Sequence, residues 1–403
     1  MNQYRFHLIS LAHLPQSPAY LSCAFTQKNV KLTRMLMSLG HEVYFYGSEG
    51  SEVECTKLIQ THTLRDIRED YGDGDNRFEV GYDWTNTDFR HDFNSKRNPS
   101  TLKFYASCIE EINANKQGDD FLLLTQGSYH TPIADAVKLY LTCEPGIGYR
   151  GAVRGRFRAF ESAYIQNFTY GSEFPRQCIN GSYYDRVIPN YFDPDDIEYS
   201  DQKDDYFFFI ARMIKRKGIM TAALATQAIG AKLIIAGQGG VIDKAGCLVG
   251  QYSDFKLPPG NWEYIGFVDV ARRKKLMAHA KATFVPTEYL ECFGGTHVES
   301  MLSGTPVITT NFAVFPGTFT DGIGGFHCNT LDDFVWAAKH VGDLDPKIVR
   351  ASAEKYLMDN VRWEYQRWFE DLYQVYLSTL GNGTKGWHHI RDTEPAWRGK
   401  VHA

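Results

Sequence analysis

The sequence has few cysteines and none in pairs. Cys23, Cys55, Cys108, Cys143, Cys178, Cys247, Cys292 and Cys328 are scattered over 403 residues with no C-x-x-C. That scatter argues against zinc ribbons, dithiol redox motifs and disulfide scaffolds. No apolar run approaches the roughly 20 residues that span a bilayer, and the mean hydropathy is −0.36. A signal-peptide pattern is missing, because Met1 is followed almost at once by the strand-like Phe6-His7-Leu8-Ile9-Ser10-Leu11. A cytoplasmic protein without a transmembrane segment is expected. Charge of one sign is lacking too. Lys and Arg number 43 against 48 for Asp and Glu, a net charge of −5 with no long block of either, so the overall footprint of a nucleic-acid or membrane binder is missing.

Several catalytic signatures are also missing. Neither G-x-x-x-x-G-K-[ST] nor G-x-S-x-G nor H-E-x-x-H occurs, which sets aside a P-loop kinase, a hydrolase elbow and a zinc peptidase. Gly237-Gln238-Gly239-Gly240 departs from the dinucleotide fingerprint, since position 242 is Ile, so a nicotinamide site is not expected. Asp-x-Asp occurs at Asp73/Asp75, Asp193/Asp195 and Asp343/Asp345, each in a polar stretch and none after a buried strand. Asp73-Gly74-Asp75 resembles part of a calcium loop, but Arg77 stands where an oxygen ligand is needed. No metal site is expected.

What is present is a repeated alternation of short apolar runs and helical patterns. At roughly 150 residues per domain the length suggests two or three domains, and 43% hydrophobic residues suffice for a core in each. A strand over 6–11, a helix carrying Val30, Leu32, Met35, Leu36 and Leu39 and stopped by Gly40, and a strand over 41–47 make a βαβ unit with parallel strands. The polar, acidic and aromatic stretch 65–98 reads as an irregular insertion. Further strands are expected at 121–124 and 139–142, and 187–205 reads as a linker. A second series follows: strand 206–210, helix 218–228, strand 232–236, an irregular stretch, strand 263–267, helix 271–280, strand 282–286, helix 296–303 and strand 306–310. Two such series imply an α/β protein of two doubly wound domains with ligands at the carboxyl ends of the strands. An aromatic-rich helix is expected over 361–380, and a weakly ordered tail over 381–403.

The segment Phe284–Thr310 carries the densest chemistry. Glu291 and Glu299 flank Phe293-Gly294-Gly295, and Ser303-Gly304-Thr305-Pro306 ends the helix that follows. Two glutamates at this spacing are ordinarily surface residues. The preceding strand, the glycines and the small-residue stop point instead to a site: glycine backbone at a helix N-terminus approaches an anion, and Glu299 accepts from vicinal hydroxyls such as those of a ribose. A second constellation, Ala211-Arg212-Met213-Ile214-Lys215-Arg216-Lys217-Gly218, follows strand 206–210 directly. Arg212 and Lys217 are placed to meet a diphosphate there, whereas Lys215 and Arg216 read as a solvated basic loop. His130 in Gln126-Gly127-Ser128-Tyr129-His130 lies at the carboxyl end of strand 121–124. Arg150, Arg154, Arg156 and Arg158 form a basic cluster suited to a phosphate- or carboxylate-bearing acceptor, or to solvation alone.

These residues resemble the retaining glycosyltransferases of family 4, which have the GT-B fold. Glu291-Cys292-Phe293-Gly294-Gly295 to Glu299 is similar to that family's E-x7-E motif, Ser303 to Ile308 to its S-G-T-P-V-I, and Ala211 to Gly218 to its G-R-L-x-x-x-K-G. Ile188-Pro189-Asn190 resembles its interdomain I-P-N, and Gly40-His41-Glu42-Val43 its G-H-E-V. The resemblance implies two Rossmann-like domains facing across a cleft: an acceptor-binding domain over 1–192, a nucleotide-sugar-binding domain over 193–360, and a C-terminal helix crossing back to the first domain. It implies that Arg212 and Lys217 bind the donor diphosphate and Glu299 the ribose. Glu291 would hold the transferred sugar, the backbone of 293–295 the sugar or phosphate, His130 the sugar near its anomeric centre, and Val268 the base, with Cys292 among the donor-binding residues. With these goes transfer that retains anomeric configuration without a metal or other cofactor. The donor would be a UDP- or GDP-sugar and the acceptor a saccharide or other small molecule. Alternatives are a silent or epimerase-like nucleotide-sugar binder and a glycosyltransferase that modifies nucleic acid. Two departures stand out: the family's glycine-rich loop after the first strand is here Ala12-His13-Leu14-Pro15-Gln16-Ser17-Pro18, and its Gly before the Arg is Ala211.

Overall fold

Strands buried on both faces read as unbroken apolar runs, and Phe121–Leu124, Phe207–Ile210 and Leu233–Ala236 take that form in the computed structural model. The structure describes residues 2–18, 23–71, 98–153, 156–173, 183–250 and 252–382. The chain divides into two units, with the boundary between Ile188 and Pro189 and the return at Arg362.

The first unit contains β1 (Arg5–Ile9), α1 (Ala24–Ser38), β2 (Glu42–Gly47), β3 (Lys57–Gln60), α2 (Leu64–Tyr71), α3 (Pro99–Asn115), β4 (Phe121–Leu124), α4 (Thr131–Val137), β5 (Thr142–Ile147), β6 (Phe157–Phe160), α5 (Ala163–Glu173) and β7 (Arg186–Val187). Its sheet runs β3-β2-β1-β4-β5-β6-β7, parallel throughout. Between α3, α4 and the sheet lies a core of Phe104, Cys108, Ile112, Leu122, Leu124, Ile133 and Val137.

The second unit follows with β8 (Phe207–Ile210), α6 (Ile219–Ala228), β9 (Leu233–Ala236), β10 (Val241–Ile242), β11 (Leu248–Val249), β12 (Lys256–Leu257), β13 (Trp262–Tyr264), α7 (Val270–His279), β14 (Thr283–Val285), α8 (Gly295–Leu302), β15 (Val307–Thr310), β16 (Gly325–Cys328), α9 (Leu331–His340) and α10 (Pro346–Ala353). Its parallel sheet has the order β13-β9-β8-β14-β15-β16, which is the doubly wound order with its reversal between β8 and β14. The final helix α11 (Met358–Asn382) begins in the second unit and from Arg362 belongs to the first. There Phe369 packs on Phe6 and Phe121, and Gln366 meets His41 at 2.8 Å.

Several sequence expectations are corrected. The start of the supposed insertion 65–98 is helical, because Thr63 and Asp66 cap α2 reciprocally and Ile67 is buried; residues 72–97 lie outside those described, as do 383–403. The strand expected at 139–142 begins only at Thr142 and runs to Ile147, its pattern masked by Glu144, Pro145 and Gly146. The strand expected at 263–267 is confined to Trp262–Tyr264. The irregular stretch before it holds the antiparallel β10-β11-β12 sheet. Within the supposed linker, Phe192 and Leu357 form a bridge, and Asp193 caps a short turn through Asp195 N. Among the described residues no helix is long and apolar enough to cross a membrane.

Candidate active site

In the second unit the loops after β8 and β14 leave neighbouring parallel strands at their carboxyl ends, at the point where strand order reverses. This crevice is where doubly wound sheets take ligands. Backbone and side chain bind the two loops together: Glu288 N–H and Thr287 Oγ1 both donate to Arg216 O at 3.0 Å. Gly218 has φ +81°, and a β-carbon there would run into the Pro286 carbonyl, so only glycine permits the approach. Arg216 and Lys217 both lie over the Tyr289 ring, at 4.8 and 5.0 Å from its centroid. Arg216 therefore belongs to the join between the loops, a role the solvated-loop reading missed.

The join brings Lys217 and Glu291 together, Lys217 Nζ donating to Glu291 Oε1. Gly294, at φ +76°, forms the N-cap of α8 and Gly295 its first residue; the first turn of a helix leaves backbone N–H groups without intrahelical partners. Glu299, four residues further, pairs with Arg273 Nη2 of α7 at 3.2 Å. Ser303 ends the helix, its N–H and Oγ both donating to Glu299 O, and Ser300 Oγ ties α8 to β14 through Thr283 at 2.8 Å. Arg212 is exposed on the loop after β8, and Cys292 is a half-buried thiol beside Glu291.

Two residues of the expected donor site turn their side chains into the core. The Val268 side chain is buried among Tyr206, Phe208, Ile234 and Met277. Phe293 is buried against Phe192, His297 and Tyr356. Both side chains serve the core, which leaves only their backbones for a ligand. His297 was not singled out from sequence. It is fully buried, Nδ1 accompanies Gly294 O, and burial holds its pKa down at about 3.

In the first unit His130 sits after β4, which is the reversal point of that sheet. Its Nδ1 accepts from Thr125 N–H at 3.2 Å, which leaves the proton on Nε2 of the neutral ring. Burial keeps it neutral, its pKa near 3. β5 itself, the position just after β6, and α1 carry residues that sequence reasoning missed. Glu144 is buried, accepts from Tyr149 Oη and Val153 N–H at 2.7 Å, and has its pKa raised to about 7 by burial. Lys28 pairs with Glu161 at 2.6 Å and donates to Gly146 O. Gln16, accepting from Asn29 at 2.9 Å and donating to Leu14 O, anchors the loop after β1 where glycines were expected. The only sequence signal for Glu144 and Glu161 was a carboxylate within or just after a buried run.

Among the described residues of the basic cluster, each arginine has a local partner. Arg158 is buried and paired with Asp185 and Glu173, both at 2.8 Å. Arg156 pairs with Asp135, and Arg150 lies over Phe168; Arg154 lies outside the described residues. An arginine inside a β-strand is spent on structure here, which the spacing alone did not reveal.

Residues 195–372 match the family model of Glycosyl transferases, group 1. Solved structures of similar architecture include AviGT4, a glycosyltransferase involved in avilamycin A biosynthesis, at 17% identity and TM-score 0.59, covering 92% of this chain and 98% of that one. A glycosyltransferase from Rickettsia africae aligns at 11% identity and TM-score 0.59, covering 92% and 99%. The pneumococcal O-GlcNAc transferase GtfA, solved with UDP and GlcNAc, aligns at 12% identity and TM-score 0.58, also covering 92% and 99%. The fold shared with these chains is GT-B. No curated protein sequence matches the chain.

Proposed function

We propose that this chain, whose residues 195–372 match the family model of Glycosyl transferases, group 1, is a glycosyltransferase that moves a sugar from a nucleotide diphosphate to a hydroxyl-bearing acceptor with retention and without a metal. The observation that carries this reading is the Lys217–Glu291 pair at the reversal point of the second sheet. It places a cation and a hydroxyl acceptor side by side where a sugar diphosphate needs both.

In this reading Arg212 and Lys217 neutralise the charge that grows on the β-phosphate as the bond to the anomeric carbon breaks, the service a divalent metal gives elsewhere. Lys217 exchanges Glu291 for phosphate, and Glu291 is released to accept from sugar hydroxyls. Glu299 accepts from the ribose, and the backbone of Cys292–Gly295 meets the sugar or phosphate. Val268 contributes backbone beside the base. His130, neutral with its proton on Nε2, is suited to donate to a sugar oxygen and unsuited to act as a charged acid. The transition state is oxocarbenium-like, and the acceptor oxygen attacks from the face the phosphate leaves, passing its proton to that phosphate. The acceptor lies at the carboxyl edge of the first sheet, near Tyr149 and the Lys28–Glu161 pair. Because that cation is already balanced and Arg158 is buried, an uncharged saccharide suits the edge better than a nucleic acid.

UDP and GDP are the first donors to test, UDP being the nucleotide in the GtfA complex. Thermal shift and donor hydrolysis with UDP-, GDP-, ADP- and dTDP-sugars, with and without EDTA, test the reading. A shift with one nucleotide that EDTA leaves unchanged supports it. Loss of the shift in EDTA overturns metal independence, and an inverted anomeric signal in the product overturns retention. Silence with every donor overturns the donor site.

A further inference from the structure

We propose that Arg273 positions Glu299 for the ribose hydroxyls and so makes the site select ribonucleotide over 2′-deoxyribonucleotide donors, an inference that rests on the donor site described above. Arg273 lies on α7, whose start is fixed by Asp269 accepting from Arg272 N–H at 2.8 Å. From there Nη2 reaches across to α8 and meets Glu299 Oε1 at 3.2 Å. The side chains are 25% and 15% exposed, so this is not one of the freely solvated ion pairs that contribute little. Nor is it an i,i+4 pair on one helix surface: it links two helices that follow different strands.

The chemistry follows from what a pinned carboxylate presents. A glutamate on a helix face has three side-chain torsions to spend, and a vicinal diol rewards only the arrangement that offers lone pairs to both hydroxyls. The Arg273 guanidinium lies beside one carboxylate oxygen, at 3.2 Å, and leaves Glu299 further lone pairs to offer to hydroxyls. Ribose hydroxyls donating to a carboxylate form charge-assisted hydrogen bonds. A site built this way penalises a sugar that lacks the 2′-hydroxyl, because a desolvated acceptor is then left unpaired. Arg273 touches no substrate in this scheme and acts through Glu299. It is a positioning residue.

The test uses the full chain and four nucleotides, UDP, GDP, dUDP and dGDP, titrated calorimetrically into wild type, R273Q, R273K and E299Q. Wild type is expected to bind its preferred ribonucleotide at least about tenfold more tightly than the deoxy form. R273Q is expected to lose about tenfold in ribonucleotide affinity while deoxy affinity moves by less than about twofold, so that the ratio falls toward that of E299Q. R273K restores part of the ratio. In donor turnover R273Q raises KM and leaves kcat nearly unchanged, a split that general loosening of the fold would not give. If R273Q keeps the wild-type ratio while E299Q loses it, Arg273 is only structural and the donor reading survives. If wild type binds none of the four, or E299Q keeps the ratio, the donor reading fails and takes this proposal with it.

Discussion

Lys217 Nζ donates to Glu291 Oε1, a side-chain pair that ties the loop after β8 to the loop after β14. Residues 74 positions apart meet because their strands are neighbours in a parallel sheet. Under the proposed mechanism K217A removes both the phosphate cation and the partner of Glu291. Transfer is expected to fall by about 10²–10³ or more, the usual cost of losing one preorganised charge-stabilising donor, with the melting temperature nearly unchanged. E291A should also abolish transfer, through the sugar contact. Steady-state kinetics beside thermal melting checks both, and full activity in either variant overturns the donor-site assignment.

Gly218 to alanine should damage the same junction sterically. Its φ of +81° and the Pro286 carbonyl leave no space for a β-carbon, so the two loops must part. Nucleotide-induced thermal shift is expected to vanish, together with a loss of stability of about 1–3 kcal/mol from backbone strain. Alanine at Gly230, also at positive φ but with nothing within 4 Å of the added β-carbon, should keep the nucleotide response.

Arg158 is a structural charge. Replacing it by alanine strands Asp185 and Glu173 in the interior, and loss of one partner of a buried pair typically costs about 3–5 kcal/mol. Urea denaturation of R158A should show that loss, whereas R150A, on the exposed side, should stay within about 0.5 kcal/mol of wild type.

Glu144 should give stability a pH dependence opposite to that of the buried histidines. Its folded pKa is raised to about 7 from 4.5, so the native state holds its proton more tightly and stability falls as pH rises through that window. The full gap is worth up to about 3 kcal/mol at about 1.4 kcal/mol per pH unit. His130 and His297 are depressed from 6.5 to about 3; their contribution is complete above pH 6.5 and is lost on acidification. Between pH 6.5 and 8 only the Glu144 slope remains of the three. E144Q keeps an acceptor for Val153 N–H and should lose the falling slope that Glu144 contributes there and be more stable than wild type at pH 8, as the difference in denaturant midpoints between the two across that range would show.

Much of the second unit was legible in one dimension. Its strands are buried on both faces, so Phe207–Ile210 and Leu233–Ala236 stand out as apolar runs, and Gly294 with the Ser303–Pro306 stop marks both ends of α8. The first unit was harder. Glu144 sits inside β5 and Arg158 inside β6, and each breaks the hydrophobic pattern because a partner elsewhere in the chain satisfies it.

Sequence alone determined the βα alternation, the placement of Arg212, Lys217, Glu291 and Glu299 after strands, and the glycines that let backbone approach backbone. All of these follow from local periodicity and backbone sterics, which a chain carries residue by residue. Tertiary structure decided the pairings: Lys217 with Glu291, Arg273 with Glu299, Arg158 with Asp185, and Val268 and Phe293 turned into the core. A charge shows its partner, and an apolar side chain its neighbours, only once strand order has brought distant segments together, and no local pattern records that order.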